Sequence, residues 1–290
     1  MNKHNYLICT IIFLLGFQSC TTTYLIKKGS VTPTAFHEKL EFETIKTVLI
    51  LPLDLNGIRK NFIFDTGAQI SVIQRDSMTG NISDWGGASK RRTDVGSEYV
   101  KVIKIGSTEF QDTYAGNTDF VGLKEQIPNF GGLIGQPIIS KANWLIDYPK
   151  KTLEISNAEL VDSSFQGIQI HRKGGSPHTY IEIDQEKYEV IIDFGSSSEL
   201  SVPEDSELAK ALFGSYAFKE QKRERYTMGG NETIIEKVGT LPLVKLGDIE
   251  FQNVLTRINV NSEPRLGISF FKNYIIYIDN ENEKYRIKKG

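Results

Sequence analysis

Four landmarks recur in the same order in the two halves of this 290-residue chain, and that repeat restricts what the chain can fold into. The first is an apolar run ending in an acid and a glycine: Phe62-Ile63-Phe64-Asp65-Thr66-Gly67, then Val190-Ile191-Ile192-Asp193-Phe194-Gly195. The second is a turn, where Ile105-Gly106-Ser107-Thr108-Glu109-Phe110 is matched by Leu246-Gly247-Asp248-Ile249-Glu250-Phe251. Leu133-Ile134-Gly135 with Ile138-Ile139 answers to Arg265-Leu266-Gly267 with Phe270-Phe271, and Asp147 before a polar turn answers to Asp279. Order is kept while spacing drifts, which marks a diverged duplication rather than a short-period solenoid.

Each copy is written in β grammar. An apolar run over residues 48–55 meets Asn56-Gly57, a type I′ hairpin signal, and returns over residues 61–64. Residues 179–183, the turn at 184–186 and residues 188–192 repeat that hairpin. Helix signals are scarce: residues 204–213 after Pro203 form the best candidate, and Ile138-Ile139 a short one. The expected class is all-β with few short helices. Turn and linker residues gather between Asn157 and His178, which divides the chain into units over 41–165 and 166–290. An apolar content of 39% is enough for a sizeable core in each.

The acids at the ends of the apolar runs carry the chemistry. A carboxylate at the end of a buried strand is costly unless paired or hydrogen-bonded. Gly67 lets the backbone close around Asp65, and its amide is placed to donate to the carboxylate. Two carboxylates in matching settings, Asp65 and Asp193, are what a shared-proton acid/base pair needs.

Other chemistries lack their residues. The only cysteines, Cys9 and Cys20, leave the later part of the chain without a thiol nucleophile, a disulfide or a cysteine metal site. With no His-Glu-x-x-His and no Gly-x-Ser-x-Gly, neither a zinc hydrolase nor a serine hydrolase is expected. Gly229-Gly230 lacks the lysine and strand-to-helix setting of a phosphate loop. A formal net charge of −2, with no long basic block, argues against a nucleic-acid partner. Lys90-Arg91-Arg92 and the charge run over 219–225 read as solvated surface.

At the N-terminus, Lys3 and His4 precede an apolar run over residues 6–17, too short to span a bilayer and suited to a secretory signal. Gly16-Phe17-Gln18-Ser19-Cys20 resembles a bacterial lipoprotein signal, with Phe17 where leucine is usual. The resemblance implies a signal over 1–19, lipidation at Cys20, a tether over 20–40 and membrane attachment through the lipid. The absence of acidic residues just after Cys20 resembles lipoproteins that face the periplasm. An uncleaved anchor or an ordinary signal peptide is the alternative.

Asp65-Thr66-Gly67-Ala68 after an apolar strand, followed by Leu133-Ile134-Gly135, resembles the retropepsin-like aspartic proteases. The duplication resembles the bilobal form of pepsin-like enzymes and spans about residues 40–287. The combination is similar to predicted aspartyl-protease lipoproteins of Bacteroidetes-type bacteria. It implies two tandem β-rich lobes about a central cleft, each giving one catalytic aspartate, Asp65 and Asp193. Thr66, Gly67, Ala68, Gly195 and Ser196 would support the pair. Flap candidates are Gly96 and Tyr99 in one half and Tyr226 and Gly229 in the other. No metal and no cofactor is implied; a peptide or protein is the substrate, and a monomer suffices. Phe194 departs from the family, which usually has a hydroxyl residue after each Asp to clasp the two loops. That departure leaves a second possibility, a catalytically impaired peptide-binding lipoprotein, and a third, an envelope protein whose β units serve only packing.

Overall fold

The computed structural model describes residues 22–290, so the expected signal and Cys20 lie outside the described residues. The first strands are β1 (Ser30–Thr32), β2 (His37–Glu41), β3 (Glu43–Ile45), β4 (Val48–Leu55), β5 (Ile58–Phe64) and β6 (Ser71–Gln74). There follow β7 (Ser83–Gly86), β8 (Arg92–Ile105), β9 (Thr108–Thr118), β10 (Phe130–Ile134), β11 (Asn143–Asp147) and β12 (Thr152–Ser156). The second half holds β13 (Gln166–Gln169), β14 (His171–Lys173), β15 (Ser176–Ile183), β16 (Glu186–Asp193), β17 (Leu200–Pro203) and β18 (Lys219–Thr227). It ends with β19 (Gly230–Leu246), β20 (Ile249–Asn259), β21 (Arg265–Gly267), β22 (Tyr274–Asp279) and β23 (Lys284–Lys289). Short helices include a stretch over 22–26, Val121–Gln126, Gln136–Ile139 and Glu207–Ser215, with a 3-10 turn over Ile268–Phe271, and the fold is predominantly β.

The repeat seen in the residues is also a repeat of topology. The first sheet contains the order β9-β6-β10-β5-β4 and the second the order β20-β17-β21-β16-β15. In both, the strand leading to the Asp pairs in parallel with the strand leading to the later glycine: Phe64 lies opposite Ile134, and Asp193 opposite Gly267. Each ladder also closes. β8 pairs with both β4 and β9, and β19 with both β15 and β20, so each half forms a ring of six strands without free edges.

A third sheet is shared. Its order, β13-β23-β22-β11-β12-β2, reads the same from either end, with β11 against β22 at the centre (Trp144 opposite Ile278). The largest buried cluster runs through both halves, with Phe64 edge-on to Trp144 at 5.0 Å. A smaller cluster, including Ile50, Ile63, Val72, Phe130 and Leu133, has all its buried members in the first half and takes Met228 of the second half against it.

The turns follow the residues. Asn56 and Gly57 take positive φ values of 52° and 87°, as a type I′ turn requires. Asp184 and Gln185 do the same in the second copy, without a glycine. The Glu207–Ser215 helix starts one turn later than its apolar pattern suggests, because the Ser206 side chain caps it by accepting from the Ala209 amide at 3.1 Å.

Part of the stretch expected as a tether, 20–40, is folded instead. β1 pairs with β9, and β2 forms the outer strand of the shared sheet beside β12. Alternating burial along His37–Glu41 explains why this polar segment holds a sheet edge: one face packs while the charged face stays in water.

Candidate active site

β5 and β16 deliver Asp65 and Asp193 to one place. A β-carbon built on Gly195 would sit 2.4 Å from the Asp65 carboxyl carbon, and one on Gly67 2.9 Å from that of Asp193. Only glycine permits that approach from either side. The two carboxyl groups are thus brought side by side, and together they line a cavity of about 1050 Å³ whose walls come from both halves.

The loops are braced from behind by the matching glycine segments. The Asp65 amide donates to the Ile134 carbonyl, and the Ile268 amide to that of Ser196. At Gly135 and Gly267 a β-carbon would meet the Ala68 and Ser196 carbonyls at 2.5 Å in each case, so both positions require glycine for the same reason.

One clasp joins the loops. The Thr66 hydroxyl, fully buried, donates to the Ile192 carbonyl at 2.7 Å and accepts from the Phe194 amide at 2.9 Å. Phe194 supplies no reciprocal hydroxyl. Its ring is buried in the core, edge-on to Phe271 at 5.6 Å and tilted against Tyr285 at 6.3 Å. Thr66→Val should leave a buried carbonyl and a buried amide unpaired, costing about 1–3 kcal/mol for each group. Phe194→Ala should cost about 3–5 kcal/mol by opening a cavity in the core. Urea unfolding midpoints test both. A Phe194→Ala loss near zero would mean that the ring is not packed as described.

The two acids are held differently. Asp65 Oδ1 accepts from the amides of Gly67 at 2.9 Å and Ala68 at 3.0 Å. Asp193 Oδ2 instead accepts from the guanidinium of Arg265, whose other end donates to the Ser262 hydroxyl at 3.1 Å. Arg265 and Asp193 are both buried. Burial pushes the Asp65 carboxyl well above the usual range, and the charge of Asp193 and the hydrogen bond to it act in the same direction. The Ala68 amide and the Arg265 charge oppose that rise. The two carboxyls share their ionisation, and burial favours keeping the proton at Asp65.

Ser196 does not touch a carboxylate: its hydroxyl accepts from the Ser198 amide at 3.4 Å. Tyr226 and Gly229 line the cavity at the tip of the β18–β19 hairpin. Gly96 and Tyr99 do not, since they lie inside the long strand β8; the matching tip is the turn over 87–91 between β7 and β8. Gly96 has a different task. A β-carbon there would stand 2.2 Å from the Thr79 carbonyl, so the residue answers to close packing, not to a turn. The 87–91 turn meets the second half directly: the Ser262 amide donates to the Ala88 carbonyl, and Lys90 pairs with Asp205 at 2.7 Å.

Arg265 is the residue that sequence reasoning passed over. The signal was available: the repeat has leucine at the corresponding position, Leu133, and a charged residue in an apolar slot beside a strand-end acid asks for a partner. Among the described residues, no group of three or more His, Cys, Asp or Glu side chains is placed to hold a metal ion.

Neither a scan against protein-family models nor a search of curated proteins returns a match to this chain.

Proposed function

We propose that this chain is an exported, lipid-anchored aspartic endopeptidase, in which Asp65 and Asp193 activate water against a peptide bond. The observation that carries it is the meeting of the two carboxyl groups, each packed against the other's glycine, in a cavity walled by both halves. The two closed six-stranded rings and the sheet between them support acid-protease-like lobes over 41–165 and 166–290 about a central cleft.

A water between the carboxyl groups loses a proton to Asp193 as its oxygen attacks the scissile carbonyl. Asp65 gives its proton to the carbonyl oxygen, so a neutral gem-diol forms. Asp193 then passes its proton to the leaving nitrogen, Asp65 takes one back from the diol, and the C–N bond breaks. Burial of Asp65 keeps its proton available toward neutral pH.

A second reading, a peptide-binding protein with weak catalysis, is favoured by one contact. The Arg265 guanidinium occupies Asp193 Oδ2 and competes there with a proton from water. Pepstatin-sensitive cleavage of a peptide library by the purified mature chain decides between them. Tight peptide binding without cleavage supports the second reading.

Anchoring rests on Cys20. Cys20→Ala is expected to release soluble protein or stall the precursor, read by membrane fractionation and intact mass. A membrane-bound variant of unchanged mass would contradict the lipid anchor.

A further inference from the structure

The two walls beside the acid pair occupy equivalent places in the repeat, yet they are made of different chemistry. In the first half, Leu133 of β10 lies opposite Val72 of β6 across the ladder, and both line the cavity. In the second half the same ladder position pairs Arg265 of β21 with Ser201 of β17, and both again line the cavity. The acid-bearing strands add an isoleucine to each wall, Ile63 opposite Leu133 and Ile191 opposite Arg265. Beyond them Ile127 extends the apolar wall, whereas Asn261 extends the polar one by donating to the Ser201 hydroxyl. Val72, Leu133, Ile63 and Ile127 all belong to the smaller buried apolar cluster, which continues from the first wall into the protein. On the second side Arg225, which also lines the cavity, is buried against the Val260 carbonyl at 2.8 Å and Glu232 at 2.8 Å.

We infer that the cleft selects peptides with unlike residues on the two sides of the scissile bond. One is a large apolar side chain, taken by the Leu133–Val72 wall. The other carries a hydrogen-bond acceptor oxygen, carboxylate or amide, and is taken by the Arg265–Ser201–Asn261 wall. This rests on the proposed peptide cleavage and adds its substrate class. An extended peptide crossing the acid pair lays neighbouring side chains against opposite walls. An apolar residue against the second wall would strip water from Ser201 and Asn261 without replacing their hydrogen bonds, and a polar residue against the first wall would lose its own. The Arg265 Nε is buried without a partner, so this wall has a donor to spare.

The test uses two octapeptide libraries randomised at the central pair of residues. One has an ordinary central peptide bond, read for cleavage by mass spectrometry. The other has a reduced CH2–NH bond that cannot be hydrolysed, read for binding by fluorescence anisotropy. Wild type is expected to prefer an apolar residue on one side and Asp, Glu, Asn or Gln on the other by roughly tenfold or more. Separate Asp, Asn, Glu and Gln arms tell carboxylate from amide. The Ser201→Val/Asn261→Leu variant removes both partners of one hydrogen bond together and should move the polar preference toward apolar residues by a similar factor. If that variant fails to fold, Val72→Ser provides the reverse shift on the other wall. Selection of apolar residues on both sides overturns the inference while leaving peptide cleavage intact. Binding of the mixed pattern without cleavage supports the inference and removes the protease reading. Neither cleavage nor binding overturns both.

Discussion

Asparagine in place of Asp65 or Asp193 is expected to lower peptide cleavage by roughly 10²–10⁴-fold in each case, because an amide neither takes the water's proton nor passes one on. The two variants should part company in stability. Asp193→Asn leaves the Arg265 guanidinium buried without its carboxylate, a loss of about 3–5 kcal/mol. Asp65→Asn removes a group whose folded-state pKa is raised. For such a group the folded state binds the proton more tightly than the unfolded chain does. Its contribution to stability is complete below the ordinary carboxylate range and is lost as pH rises through the raised folded value. Wild type should therefore lose stability with rising pH over that window, and Asp65→Asn should flatten the slope. Urea midpoints across about pH 4–7 measure this. An unchanged slope would mean that Asp65 does not hold the proton of the pair.

Arg265→Leu restores the residue that the repeat has at Leu133, and its effects should be equally large. Removing one partner of a buried ion pair leaves Asp193 charged and unpaired, a cost of about 3–5 kcal/mol at neutral pH. The positive charge of Arg265 favours the ionised form of Asp65, so its loss strengthens the hold of Asp65 on its proton. The alkaline limb of the pH–rate profile should then move to higher pH. A profile and stability identical to wild type would show that Arg265 has no part in the acid pair.

What the residues disclosed in advance was whatever depended on local pattern. The hairpin at Asn56-Gly57, the matched turns at Gly106 and Gly247 and the two apolar strands ending in Asp65 and Asp193 all follow from short-range preferences. The duplication extended that knowledge, since any landmark read in one half could be sought in the other. Arg265 stayed hidden because its role is set by a partner 72 residues away, across a parallel pairing that no local signal announces. Gly96 misled in the opposite sense. A glycine in a polar stretch suggests a turn, but here it makes room for a neighbouring carbonyl within a continuous strand. Phe194 breaks the pattern of a hydroxyl after the acid, and its packing against Phe271 and Tyr285 is again a long-range matter. β1 and β2 were illegible for a related reason: an edge strand of three residues, and one whose exposed face is charged, carry little hydrophobic periodicity.

The most direct measurement concerns whether one chain holds the whole acid pair. Cleavage rates are compared for purified Asp65→Asn, purified Asp193→Asn and an equimolar mixture of the two. A pair formed by Asp65 and Asp193 of the same chain predicts three inactive samples, because every molecule in the mixture still lacks one carboxylate. Activity in Asp193→Asn alone, or its return on mixing, would contradict that pairing and place the acids on separate chains.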